Sequence, residues 1–220
     1  LNKTINILLI EDEAYDVQRV KKTINPFREK LIIKKIVADG LSAINCLNKE
    51  HNKIDVAIMD YQIAGGLTGE NLIKKIKSID STIQIIVITK MTINMTDYDF
   101  ANRLIEAGAI WYCTKYPADM EDYIYQPTDF ILSIFNAAEK RSLELAKESS
   151  NQKLSQSIDD TLQQKLIIGN SNIIKNIKKQ IVKAAQQDTT VLISGASGTG
   201  KELIATHIHY LSKRKFEKFV

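Results

Sequence analysis

The stretch IDVAIMD, residues 54–60, is the clearest indication of the fold. Its almost unbroken apolar run ends in a carboxylate, a pattern typical of a strand buried on both faces of a parallel sheet. Four similar runs occur in the chain: INILLI at 5–10, LIIKKIVA at 31–38, IQIIVIT at 83–89 and AIWYCTK at 109–115. Apolar residues at helical spacing follow each of the five runs. Five strand–helix pairs predict an α/β fold built on a doubly wound, five-stranded parallel sheet.

The composition excludes several classes of protein. The 220 residues are 44% hydrophobic and 25% charged, with a net charge of +4, which is ordinary for a soluble globular protein. The densest basic run, residues 213–215, favours a solvated turn over a nucleic-acid patch. No apolar stretch approaches the roughly 18 residues that span a bilayer. The first apolar run passes directly into acidic residues, and the two cysteines lack metal-ligand spacing, so we predict a cytoplasmic protein with reduced thiols.

The pattern changes after the fifth run and predicts three regions. Residues 129–166 contain no Gly or Pro and alternate charges of both signs, which indicates a long helix that continues out of the first domain. The segment IIGNSN, residues 167–172, then restarts a folded pattern. We predict a first domain at 4–127, a fifth helix and helical linker at 128–166, and a second folded region at 167–220.

Polar residues end four of the five predicted strands. Glu11 and Asp12 follow the first strand, Asp60 ends the third, Thr89 the fourth and Lys115 the fifth. The carboxyl ends of parallel strands share one edge of the sheet, where ligands bind. Three carboxylates close together require a hard cation, and Mg²⁺ suits oxygen ligands. Asp60, on the central strand, could then act as a nucleophile toward phosphorus, with Thr89 and Lys115 contacting a phosphoryl group.

These residues and their strands resemble the receiver domain of bacterial two-component response regulators, a flavodoxin-like (CheY-like) fold, over roughly residues 4–127. The resemblance implies that Asp60 accepts a phosphoryl group from a sensor histidine kinase, with Mg²⁺-dependent self-phosphorylation and dephosphorylation. It implies metal ligands at Glu11, Asp12, Asp60 and the backbone carbonyl of Gln62. It also implies Thr89 as a switch hydroxyl and Tyr112 as the aromatic residue that responds to it.

Several positions depart from the family pattern. Glu11 stands where Asp is commoner, Lys90 where a small residue is usual, and Tyr116 in place of the proline that commonly follows the lysine. The segment IAGGLTG, residues 63–69, replaces the usual Met-Pro turn. An alternative function therefore stays open, a pseudo-receiver that binds partners independently of phosphorylation.

A second motif, GASGTGK at residues 195–201, satisfies the phosphate-binding pattern G-x-x-x-x-G-K between an apolar run and a helix. Its glycines allow backbone N–H groups to face an anion at a helix N-terminus. Residues 166–220 resemble the start of the AAA+ ATPase domain of NtrC-like sigma-54-dependent activators, in which Glu occupies the position of Glu202. The resemblance implies ATP as a cofactor, bound by these residues: Ile168, Gly169, Gly195, Ser197, Gly198, Thr199, Gly200, Lys201 and Glu202.

The resemblance also carries expectations about partners. The chain stops shortly after the first strand–helix unit of the ATPase, so we expect a fragment that contacts sigma-54 RNA polymerase and DNA only through regions outside these 220 residues. Hydrolysis of ATP is not expected from the fragment. Apolar residues of the fifth helix predict a homodimer through this helix and the linker: Phe130, Ile131, Ile134 and Phe135.

Overall fold

The computed structural model describes residues 4–89, 98–115, 123–124 and 126–219. By contacts the chain divides into two compact units, Leu1–Leu145 and Ala146–Val220. Lys90 and Tyr116, which distinguish this sequence from the family pattern, lie outside the described residues.

The N-terminal unit contains the predicted five-stranded parallel sheet. Its strands are β1 Ile5–Ile10, β2 Leu31–Val37, β3 Val56–Asp60, β4 Gln84–Thr89 and β5 Trp111–Thr114, and they lie in the order β2-β1-β3-β4-β5. All four strand pairs are parallel. The strand order reverses between β1 and β3, so the carboxyl ends of these two strands flank the switch point at which ligands bind in such sheets.

Helices cover both faces of this sheet. The helices are α1 Ala14–Ile24, α2 Gly40–Glu50, α3 Gly69–Ile79, α4 Tyr98–Ala107 and α5 Pro127–Gln164, with short 3-10 turns at Asn25–Phe27 and His51–Lys53. One buried apolar cluster lies under α2, α3 and α4, and the other lies under α1 and the start of α5. Strands β3 and β4 are buried at every position, as expected for strands covered on both faces.

The long helix α5 has 38 residues, and the boundary between the two units falls within it. Its first turns pack on the sheet: Phe130 and Ile134 are fully buried, and Ile131 is 6% exposed. The prediction that these three residues face a dimer partner is therefore wrong, because they pack on the sheet face that α1 and α5 cover. Phe135 is half-buried and contacts Phe27 edge to face at 5.9 Å.

The C-terminal unit contains α6 Asn172–Ala185 and α7 Lys201–Leu211. Ser171 caps α6 by accepting a hydrogen bond from the backbone N–H of Ile174. The apolar run before the phosphate-binding motif, expected as a strand, has no strand assignment, and Leu192 is 92% exposed. A strand requires a hydrogen-bonded neighbour, and no strand of the described part of this unit supplies one. No helix among the described residues combines the length and apolarity needed to cross a membrane.

Candidate functional site at the carboxyl edge of the sheet

The predicted polar residues meet at the carboxyl edge of the sheet. Asp60 and Thr89 end β3 and β4 and are 5% and 3% exposed. Glu11 directly follows β1, and its backbone N–H donates to the carbonyl of Val37 at 2.9 Å, which extends the β1–β2 ladder. The backbone N–H of Lys115 likewise donates to the carbonyl of Thr89 at 2.8 Å. Main-chain pairing therefore holds these side chains at the end of the sheet.

The buried ammonium of Lys115 lies among three carboxylates. Its Nζ is 2.6 Å from Glu11 Oε2, 2.7 Å from Asp60 Oδ2 and 2.9 Å from Asp16 Oδ2. Burial alone would lower the pKa of this ammonium, but hydrogen bonds and charges from Asp60 and Glu11 outweigh burial and raise it. Lys115 is therefore a fixed positive charge at the centre of the site.

The acidic group itself has the chemistry and spacing of a Mg²⁺ site. Oxygen atoms of Glu11, Asp12 and Asp60 all lie within 4.8 Å of one another. Burial raises the pKa of the Glu11 carboxyl despite its hydrogen bond to Lys115, because removal from water disfavours the charged form. Asp12 is exposed, and its Oδ2 accepts from the backbone N–H of Ala64 at 3.3 Å. Hard oxygen ligands with one exposed member fit a cation that keeps several waters.

Asp60 is oriented from two sides. Its Oδ1 accepts from the backbone N–H of Gln62 at 3.1 Å, while Oδ2 accepts from Lys115. Gln62 itself is exposed beside the acidic group.

The predicted switch aromatic, Tyr112, lies on β5 in register with Val87 and is 40% exposed. Its ring meets Phe100 of α4 edge to face at 6.1 Å, and Phe100 meets Tyr61 in the same way at 5.0 Å. Tyr61 follows Asp60 directly, and its hydroxyl donates to Glu70 Oε2 at 2.8 Å. Aromatic contacts thus connect the predicted phosphoacceptor loop with Tyr112.

The sequence analysis missed two residues of this site, Asp16 and Arg19. Both lie on α1, are nearly fully buried and pair with each other at 3.4 Å. Arg19 Nη1 also donates to the backbone carbonyl of Lys115 at 3.2 Å. The sequence does contain a signal that Asp16 is buried. Asp16 precedes Val20 by four positions and therefore lies on the apolar face of the helix.

The phosphate-binding motif lies in the C-terminal unit, with Gly200 at a φ of 82° as the residue before α7. Lys201 Nζ donates to the carbonyls of Gly195 at 3.0 Å and Ala196 at 2.6 Å. Thr199 Oγ1 also donates to the carbonyl of Ala196, at 2.8 Å.

A surface cavity of about 500 Å³ is lined by part of the set of residues predicted to bind the nucleotide: Gly198, Gly200, Lys201 and Glu202, together with Lys165 and Leu203. Ile168, which the resemblance implies as an ATP-binding residue, is not part of this lining and is 87% exposed.

Both units match known families. Residues 7–124 match the response regulator receiver domain, and residues 167–220 match the sigma-54 interaction domain. The strand order and the acidic group at the carboxyl edge of the sheet are also those of a receiver domain. Because the receiver match spans more than half of the chain, the chain belongs to the response regulator family. It is a response regulator whose C-terminal residues match the sigma-54 interaction domain.

Curated relatives are similar to both long and short stretches of this chain. The chain is 29% identical over 217 residues to the regulatory protein AtoC of Escherichia coli, a match that covers 98% of this chain and 42% of AtoC. It is 54% identical over 54 residues to the formate hydrogenlyase transcriptional activator of Salmonella typhimurium, covering 24% of this chain and 8% of that protein. The 220 residues thus span well under half the length of these relatives.

Two solved structures share the fold. The receiver domain of Thermotoga maritima CheB is 20% identical, with a TM-score of 0.53 and coverage of 62% of this chain and 98% of that one. NtrX from Brucella abortus in complex with ATP is 23% identical, with a TM-score of 0.53 and coverage of 98% of this chain and 42% of NtrX.

Proposed function

We propose that Asp60 accepts a phosphoryl group from a sensor histidine kinase, and that this modification controls an attached sigma-54-activating ATPase and hence transcription. One observation carries the proposal. The Lys115 ammonium lies 2.7 Å from Asp60, which ends the central strand and belongs to a group of three carboxylates. A structural ion pair has no need of an additional exposed carboxylate at Asp12, whereas a metal-assisted phosphoryl site does.

The chemistry of Asp60 is a displacement at phosphorus. A carboxylate oxygen of Asp60 forms a bond to phosphorus as the bond between phosphorus and the kinase histidine nitrogen breaks, and the electron pair remains on the leaving imidazole. Catalysis of this step is mostly positioning and neutralisation of charge. The Gln62 N–H and the Lys115 ammonium orient the two Asp60 oxygens, and Lys115 offsets the negative charge of the entering group.

Glu11, Asp12, Asp60 and the Gln62 carbonyl are the residues proposed to hold Mg²⁺. When bound, the ion supplies the positive charge that allows these carboxylates and a phosphoryl group to occupy one site. The Thr89 hydroxyl, at the end of the neighbouring strand β4, is proposed to bind a phosphoryl oxygen. We propose that Tyr112 responds through its contact with Phe100, six ångströms away.

Intact-mass measurement tests the proposal. The 220-residue protein is incubated with Mg²⁺ and acetyl phosphate, and we expect the mass of one added phosphoryl group. Asp60→Asn should abolish the gain because it removes the nucleophile, whereas Asp159→Asn, at an exposed position of α5, should retain it. If the parent protein gains no phosphate with any small donor, the phosphorylation-independent interaction module becomes the better interpretation.

We propose that residues 195–201 bind the phosphates of ATP in the complete protein. NtrX, whose structure was solved with ATP, supports this assignment by its similarity. Lys201 donates to two loop carbonyls and would exchange these bonds for bonds to phosphate oxygens.

A fluorescent ATP analogue should bind weakly to the 220-residue protein, Lys201→Ala should remove the binding, and Lys183→Ala should leave it unchanged. We expect no ATP turnover, since hydrolysis also requires an acidic residue and arginines around the phosphates. Turnover that is lost in Lys201→Ala would contradict this expectation.

We also propose that the chain forms a homodimer through α5 and the linker. The exposed leucines Leu132 and Leu143 lie on α5 within the N-terminal unit and are 54% and 66% exposed. They are eleven positions apart, close to three helical turns, so they lie on one side of the helix. Replacing both with Ser should produce a monomer in sedimentation experiments at tens of micromolar. The matched control is Leu41→Ser on α2, also exposed, and a parent protein that is already monomeric refutes this interface.

A further inference from the structure

We propose that Asp16 and Arg19 form a positioning pair for Lys115, which keeps the ammonium in place while Asp60 is phosphorylated. The inference rests on the proposed function of Asp60. It concerns two α1 residues that neither bind the metal nor receive the phosphoryl group in that proposal.

The Lys115 ammonium uses all of its hydrogen-bond donors. A lysine ammonium has three N–H donors. In this structure three carboxylates contact them, Glu11 at 2.6 Å, Asp60 at 2.7 Å and Asp16 at 2.9 Å. A phosphoryl oxygen can therefore engage Lys115 only by taking the place of one carboxylate.

Phosphorylation and metal binding change two of the three contacts of Lys115. Asp60 becomes a mixed anhydride on phosphorylation, loses its full negative charge and is a poorer acceptor. Glu11 is a proposed Mg²⁺ ligand, so the metal competes for its oxygens. Asp16 is the one carboxylate of the three with neither role, and it is fully buried. Its bond to Lys115 is the contact that persists while the other two are redirected.

Arg19 fixes the main chain of the same lysine. Its Nη1 lies 3.4 Å from Asp16 Oδ1 and 3.2 Å from the Lys115 carbonyl, and its Nε donates to the Tyr123 carbonyl at 3.0 Å. Thr23, one turn further along α1, accepts from the backbone N–H of Ile124 at 3.0 Å. Helix α1 therefore holds both the side chain and the backbone of Lys115, and also the chain that leads into α5.

The planar guanidinium suits this role. Arg presents five N–H donors in a rigid fork, so one side chain can serve Asp16 and two carbonyls together. The guanidinium also offsets the charge of the carboxylate beside it. The pair adds no net charge to the site and acts by geometry.

The test compares phosphorylation rate with Mg²⁺ affinity in the 220-residue protein. Asp16→Asn keeps the shape but weakens the hold on the ammonium, and we expect phosphorylation by acetyl phosphate at saturating Mg²⁺ to slow by about tenfold, the scale of one hydrogen bond to a charged group. Mg²⁺ affinity, measured by calorimetry, should stay within about twofold of the parent value, because Asp16 does not bind the metal. A change of about twofold corresponds to a small fraction of the free energy of one such hydrogen bond. The matched control is Ser133→Ala on α5, which removes a buried hydrogen bond to the Phe130 carbonyl and should leave both quantities unchanged.

The outcomes separate the inference from the proposed function. If the parent protein is phosphorylated and Asp16→Asn reacts equally fast, the positioning pair is refuted while the function stands. A rate and a Mg²⁺ affinity that fall together also refute it, since Asp16 then acts through the metal site. If the parent is not phosphorylated, the proposed function fails first. Should Asp16→Asn not fold, Arg19→Lys keeps the charge but not the fork, and it must slow phosphorylation without weakening Mg²⁺ binding.

Discussion

Arg141 Nη2 and Asp80 Oδ2 lie 3.1 Å apart at the amino edge of the sheet, opposite the acidic group. Arg141 belongs to α5, and Asp80 lies between α3 and β4. Arg141 is 3% exposed, donates also to the His51 carbonyl at 3.4 Å, and has its Nε 3.7 Å from Asp55 Oδ1. The charged pair therefore attaches α5 to the base of the sheet, about one turn beyond Ala137, the last fully buried apolar residue of its first turns.

Loss of Arg141 should destabilise the N-terminal unit. Removing one member of a buried ion pair costs about 3–5 kcal/mol. We expect about 3 kcal/mol for Arg141→Met, because Asp80 keeps the two hydrogen bonds that it accepts from Thr82. Urea unfolding followed by circular dichroism measures the change. Lys53→Met, which breaks the exposed pair with Glu50, should cost at most about 1 kcal/mol. Equal unfolding midpoints for the two variants would contradict the prediction.

Asp80 should contribute a defined acid dependence to stability. Burial alone would raise the pKa of its carboxyl, but hydrogen bonds from Thr82 and the charge of Arg141 outweigh burial and lower it. A carboxyl with a lowered folded pKa stabilises the fold above its unfolded pKa of about 3.9, and the stabilisation is lost as the pH falls through the folded value. The stability difference between the parent and Asp80→Asn should therefore be constant from pH 5 to 7, which lies above about 3.9, and should shrink toward pH 2. A difference that does not vary with pH refutes this.

The two thiols should differ in reactivity. Burial raises the pKa of the Cys113 thiol to about 11, and Cys46 is only half-buried, although burial raises its pKa as well. At pH 8 the Cys113 thiolate is then about one part in a thousand, against roughly one in four for a free thiol. Iodoacetamide should label native Cys113, measured in Cys46→Ser, at least about 100-fold more slowly than the urea-unfolded chain. Cys46, measured in Cys113→Ser, should react faster in the native state than Cys113 does.

Asp12 should affect Mg²⁺ binding without affecting stability. Asp12→Asn removes one of three anionic ligands, and we expect at least about tenfold weaker binding, since even outer-shell partners of metal ligands are worth 10–100-fold. The side chain is exposed, so the unfolding midpoint without metal should not change. Titration calorimetry with MgCl₂ measures the affinity, and Asp159→Asn serves as the control. Identical binding curves for Asp12→Asn and the parent would exclude Asp12 from the site.

The local pattern of the chain was enough to predict the sheet and most of the acidic site. Runs such as residues 54–60 are apolar throughout because both faces of a central parallel strand are covered, and this property is visible in sequence. The residue that follows such a strand falls on the carboxyl edge whatever the strand order is. Glu11, Asp60, Thr89 and Lys115 could therefore be grouped before any contact was known.

The class of fold, the residues at the edge of the sheet and the two family matches thus follow from the sequence, because each depends on a short contiguous pattern. The partners of those residues depend on tertiary packing. Asp16 meets Lys115 across 99 positions and Arg141 meets Asp80 across 61, and helical periodicity does not specify which polar residue on a buried face meets a charge from another element. The same reason explains the burial of Phe130, Ile131 and Ile134: the extent to which an apolar helix face is covered depends on the width of the surface against which it packs.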